Sequence, residues 1–210
     1  MSGLLELLNS SQGKELINGI SRQAGVSKSN TTQVLDMALP LLTGAMKKNI
    51  QTPEGAQGLM SALNSKHDGS VLDNLSGFFQ GGVDDGVIKD GEGILGHLLG
   101  SKQTNVENTL SKKTGIDAGT IAQILKVAAP IIMGFLGKQT RQSQVNDSQG
   151  LNTLLGSMLG GQPKQNQSLI ESLIDADGDG SVLDDVAGMV LGNRKQKGGL
   201  GGLLGNLLGK

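Results

Sequence analysis

Residues 16–48 recur 90 positions further along the chain without a gap, and this recurrence narrows the possible folds more than any other feature. Gly25-Val26-Ser27 corresponds to Gly115-Ile116-Asp117, and Gln33-Val34-Leu35 to Gln123-Ile124-Leu125. Ala38-Leu39-Pro40-Leu41-Leu42 returns as Ala128-Ala129-Pro130-Ile131-Ile132, with Leu16/Val106, Ile20/Leu110, Ser21/Ser111, Gly44/Gly134 and Lys48/Lys138 in the same register. A second block, Asp68-Gly69-Ser70-Val71-Leu72-Asp73, reappears 111 positions later as Asp179-Gly180-Ser181-Val182-Leu183-Asp184. The blocks keep their order, and the second half has the longer connection, including the polar stretch Gly161 to Gln167, which reads as a loop. A fixed internal period marks a repeated supersecondary unit. We therefore read a first helical repeat over 1–100, a second over 101–193, and a flexible Gly/Leu-rich amphipathic tail over 194–210. The two copies either pair pseudosymmetrically or stand as separate lobes.

Within each copy the apolar period is that of a helix. Val34, Leu35, Ala38, Leu41, Leu42, Ala45 and Met46 follow i, i+3/i+4, i+7 spacing, and so do Ile121, Ile124, Leu125, Ala128, Ile131, Ile132 and Phe135. Ser27 and Asp117, just past Gly25 and Gly115, are placed as N-caps. Pro40 and Pro130 fall inside the pattern, so each is expected to kink its helix or split it. No stretch alternates β-branched residues. The expectation is an all-α fold of many short helices joined by Gly-rich turns, with further glycines of the 34 letting helix backbones approach closely.

Several function classes are disfavoured by composition. With 18 basic and 19 acidic residues there is no broad positive field, and the aromatic residues are Phe78, Phe79 and Phe135, so no nucleic-acid partner is expected. Cysteine is absent, which excludes disulfides and thiolate chemistry. Two histidines, His67 and His97, make zinc a poor expectation, and His97 is expected to be a hydrogen-bonded helix residue. Met1 to Glu6 carries no basic leader, and the apolar run Ile121 to Leu136 is interrupted by Gln123, Lys126, Pro130 and Gly134. A buried helix and a cytoplasmic location are expected.

A Leu-rich theme recurs at Leu4-Leu5-Glu6-Leu7-Leu8, Ile94 to Leu99, Leu154 to Leu159, and Leu203-Leu204-Gly205-Asn206-Leu207-Leu208. Each forms an apolar stripe about two turns long, too short to persist in water without a partner surface. The first two read as core helices. The last follows Arg194-Lys195-Gln196-Lys197 and Gly198-Gly199, and its stripe suits self-association or a protein partner better than a membrane, since its polar face lacks positive charge.

The sharpest chemical feature is Asp175-Ala176-Asp177-Gly178-Asp179-Gly180-Ser181. Alternate carboxylates at Asp175, Asp177 and Asp179, the Ser181 carbonyl two positions on, and intervening glycines resemble the start of a calcium loop of EF-hand and dockerin type. Position twelve is Val186, so Asp184 or Asp185 would supply the closing carboxylate; helices are predicted at about 167–174 and 182–191. The competing reading is a turn with Asp as helix cap. In the first copy, Asn64 and Lys66 stand where acids would be needed, which argues against an ion there; the acidic glycine run Asp84-Asp85-Gly86 and Asp90-Gly91-Glu92-Gly93 reads as a different loop that could contribute carboxylates.

The segments Gly3 to Leu8, Met37 to Met46, Asp68 to Asp73, Asp90-Gly91-Glu92-Gly93-Ile94-Leu95-Gly96-His97 and the helix containing Ala129-Pro130 resemble the bacterial family known as domain of unknown function 937. The resemblance spans most of residues 1–160, with an extension to about 193. It implies a helical bacterial protein and transfers no catalytic residue. The functional expectation is a non-enzymatic structural or protein-interaction module. The alternative is a calcium-binding protein, and behind it an enzyme using Asp68, Asp73, Asp84, Asp90 and Glu92 with His97.

Overall fold

A computed structural model describes residues 4–159, which lie in the first of two compact units, 1–174 and 175–210. Among the described residues there is no strand, and the all-α expectation holds. The helices are α1 (Leu4–Asn9), α2 (Ser11–Ala24), α3 (Lys28–Asn49), α4 (Pro53–Ser65), α5 (Leu75–Phe79), α6 (Asp85–Leu99), α7 (Gln103–Thr114), α8 (Ala118–Gln142) and α9 (Ser148–Leu159). A 3-10 turn at Ser70–Asn74 leads into α5.

The predicted starts of the long helices are found where the sequence places them. Ser27 Oγ accepts from the Asn30 N–H at 3.1 Å, and Asp117 Oδ1 accepts from the Thr120 N–H at 2.9 Å, each satisfying a donor that the first helical turn leaves unpaired. The helices before them end alike. Gly25 and Gly115 adopt left-handed backbone with φ of 67° and 73°, donating to the carbonyls of Ser21 and Ser111.

Neither internal proline splits its helix: α3 runs through Pro40 and α8 through Pro130. Both prolines lie in the fully packed middle of their helices, where burial on all sides holds the backbone helical despite the missing N–H. The predicted apolar faces of α3 and α8 are buried at every position named for them. Side chains such as Leu35, Leu39, Ile121 and Ile124 have no exposure, a burial that stabilises by roughly 1.5–3 kcal/mol per residue.

The two long helices touch at the centre and exchange partners. α2 and α7 each pack on both α3 and α8; α4 packs on α8, and α9 on α3. α6 lies along α8, and α1 closes on α2 and α3. The described helices of both sequence copies thus share one hydrophobic cluster. In that cluster the Leu-rich segments contribute Leu7 and Leu8 from α1, Leu95 and Leu99 from α6, and Leu154, Leu155 and Met158 from α9. By length and hydropathy α8 could cross a bilayer, a longer apolar element than Ile121–Leu136 suggested, and 72% of its most apolar window is buried within the protein.

Candidate binding groove

α4 and α6 run side by side over α8 without closing on each other, and leave a groove of about 870 Å³. Its floor is Met133 of α8, and its walls carry Leu59 and Ala62 from α4 and Ile94 and Leu98 from α6. The end near the C-terminus of α4 is polar. There Lys66 Nζ donates to Asp90 Oδ1 at 2.5 Å, and His67 Nε2 lies 3.7 Å from Asp90 Oδ2, outside hydrogen-bonding reach.

Backbone contacts fix these groups in place. The His67 N–H donates to the Ala62 carbonyl at 2.9 Å, closing the end of α4, while the His67 carbonyl rests against Gly137 of α8, where a β-carbon would collide with it. Asp90 is held by its neighbour Gly91, which meets α8 backbone to backbone. The His67 side chain is 7% exposed, and its ring makes no hydrogen bond among the described residues. Burial pulls its pKa below the ordinary histidine value; the Asp90 carboxylate opposes this, and the Lys66 ammonium adds to it.

The acidic residues of the first half do not meet. Asp68 faces Arg141 at 3.5 Å, Asp73 faces Lys138 at 3.3 Å, Glu92 faces Lys126 at 3.4 Å, and Asp90 is taken by Lys66. Among the described residues no three His, Asp or Glu side chains gather as a metal site would require. Asp84 is not in a loop with Asp90 and Glu92. It caps α6, accepting from the Gly86 N–H at 2.7 Å, and the acidic glycine run behind it is helical. The run forms a helix because Gly91, Leu95 and Leu99 recur every fourth residue and are buried. His97 is exposed on α6 beside the groove, without the hydrogen bond expected of its ring among the described residues.

The first-copy loop is a tight turn. Asp68 Oδ1 accepts from the Ser70 N–H at 3.0 Å, and Gly69 takes φ of 97°. Hydrogen bonds from Ser70 first, and Arg141 after them, hold the Asp68 carboxyl below the usual range. The calcium-loop residues Asp175, Asp177, Asp179, Ser181, Asp184 and Asp185, the helices predicted around them, and the tail from 194 onward lie outside the described residues.

Sequence reading did not anticipate the groove. Its signal is present in Gly58 and Gly93, helix-interior glycines that form no turn and make no close approach among the described residues.

The chain matches the family model described as "Bacterial protein of unknown function (DUF937)" over residues 6–139 and 141–210. It belongs to that family, and the match reaches through the tail that the resemblance in the sequence stopped short of. No curated protein and no solved structure matches it.

Proposed function

We propose that this member of the DUF937 family is a non-enzymatic structural or protein-interaction module that associates with further copies of itself through residues 198–210. One observation carries the reading. Gly202-Leu203-Leu204-Gly205-Asn206-Leu207-Leu208 repeats the pattern of Gly93-Ile94-Leu95-Gly96-His97-Leu98-Leu99, with Leu203 in place of Ile94 and Asn206 in place of His97. In α6, which lies along α8, that pattern puts Leu95 at 0% and Leu99 at 7% exposure. The same stripe at 203–208 therefore has the chemistry of a helix that requires a covering surface. The separate ion pairs of Asp68, Asp73, Asp90 and Glu92 also suit a module without acid–base chemistry. Light scattering on the full chain and on a chain ending at Lys197 tests the reading. It expects a larger assembly that falls to single chains on truncation, and an unchanged mass contradicts it.

A second reading is calcium binding at Asp175–Ser181 with Asp184 or Asp185. In the first copy, the counterparts of Asp179 and Asp184 are Asp68 and Asp73, neutralised by Arg141 and Lys138. The second copy adds Asp175, Asp177 and Asp185, and its next basic residue is Arg194, so its charge calls for an external cation. Calorimetric titration of calcium into metal-stripped protein, with magnesium and Asp179→Ala as controls, tests it. Saturable binding lost in the variant is expected; absence of heat overturns the reading.

A further inference from the structure

The groove between α4 and α6 is lined by described residues of the first unit, and its chemistry narrows what can fill it. Its volume of about 870 Å³ lies within the roughly 300–1,000 Å³ of small-molecule sites. From Gly55 to Lys66 the α4 wall is roughly 17 Å long at the 1.5 Å helical rise per residue. Gly58 and Gly93 line opposite walls, and a β-carbon on either would meet nothing within 4 Å among the described residues. Glycine is disfavoured in a helix interior, and here the fold does not require it. What the two glycines do is keep the groove clear of side chains of their own.

One end of the groove differs from the rest. His67, 7% exposed, has a ring N–H with no acceptor among the described residues, and a buried donor in that state is costly unless water or a ligand satisfies it. Lys66 and Lys89 line this end against the single carboxylate Asp90, which Lys66 already neutralises, so exposed Lys89 leaves the end net positive. Glu54 lies toward the opposite end. We propose that the groove binds a small amphiphile with an aliphatic tail and one carboxylate head, the tail on Leu59, Ile94, Leu98 and Met133 and the head between His67 and Lys89.

Calorimetric titration of the full chain with laurate, below the concentration at which it forms micelles, tests the assignment. One laurate per chain is expected, with affinity at least about tenfold weaker in Gly58→Leu and in Gly93→Leu, two changes at open helix positions that leave the fold intact. Lys89→Glu is expected to weaken laurate by about five- to tenfold. Dodecyltrimethylammonium, with the same tail and the opposite head charge, is expected not to bind. Laurate should also shift the imidazole carbon resonances of His67. No saturable laurate binding, unchanged affinity in both leucine variants, or equal binding of the ammonium amphiphile would each overturn the assignment.

Discussion

Gly91 of α6 lies so close against the carbonyl oxygen of Lys126 in α8 that a β-carbon at Gly91 would overlap it. Lys126 stands four residues before Pro130, whose nitrogen has no hydrogen to give, so this carbonyl lacks its ordinary helical donor. The Cα of Gly91, bearing weakly polar C–H groups, covers it. The same contact sets α6 on α8 and thereby presents Asp90, the next residue back, to Lys66 and His67.

Gly91→Ala should therefore destabilise the protein by about 1–3 kcal/mol or more, because two helix backbones must separate to admit one methyl group. Gly58→Ala, a substitution of the same kind into open space, should stabilise it by up to about 1 kcal/mol. Urea unfolding of both variants checks the opposite signs. Equal effects would mean that close approach is not what separates the two positions.

The two helix caps should respond differently to acid. Ser27→Ala should cost about 1 kcal/mol at any moderate pH, since its hydroxyl does not titrate. Asp117 is held below the usual carboxylate range, chiefly by hydrogen bonds from the Thr120 side chain and N–H. A depressed folded pKa contributes stability above the unfolded value, near 3.8, and that stability is lost as pH falls through the folded pKa. Asp117→Ala should thus lower the melting temperature at pH 7 and progressively less in acid, whereas the Ser27→Ala difference persists. Melting curves from pH 7 to pH 3 provide the comparison.

His67 should destabilise the fold on mild acidification. Its folded pKa lies below the ordinary 6.5, so folding favours the neutral ring, and stability is complete above 6.5 and declines as pH falls from there toward the folded value. Asp90 and Lys66 face the ring with opposing effects, and burial, reinforced by Lys66, outweighs Asp90. The pH dependence of the urea midpoint between pH 7.5 and 5 should flatten in His67→Gln. An equally steep dependence in that variant would assign the effect to other groups.

Local chemistry was the readable part of the sequence. Ser27, Asp117, Gly25 and Gly115 act within one turn of their own positions, and the apolar period of α3 and α8 states directly which face is buried. Long-range packing was not readable. Pro40 and Pro130 signal a break only if the surroundings permit one, and here packing over the whole middle of α3 and α8 holds both helices continuous. The run Asp84 to Gly93 read as loop because glycine does not register as a core residue, although Gly91 is one wherever a helix backbone replaces a side chain as its neighbour. The groove depends on where α4 and α6 stop short of each other over Met133, and on a histidine buried by its neighbours. Neither is encoded in spacing along the chain.

The claim that association runs through the Leu stripe of the tail is tested most directly by sedimentation equilibrium of the full chain beside a Leu204→Asp/Leu208→Asp variant. These two positions correspond to the buried Leu95 and Leu99 of α6. The account predicts a concentration-dependent mass above the 21.6 kDa of one chain for the parent, and the single-chain mass for the variant with its thermal unfolding unchanged. A parent that sediments as single chains at every concentration, or a variant that associates as well as the parent, would contradict it.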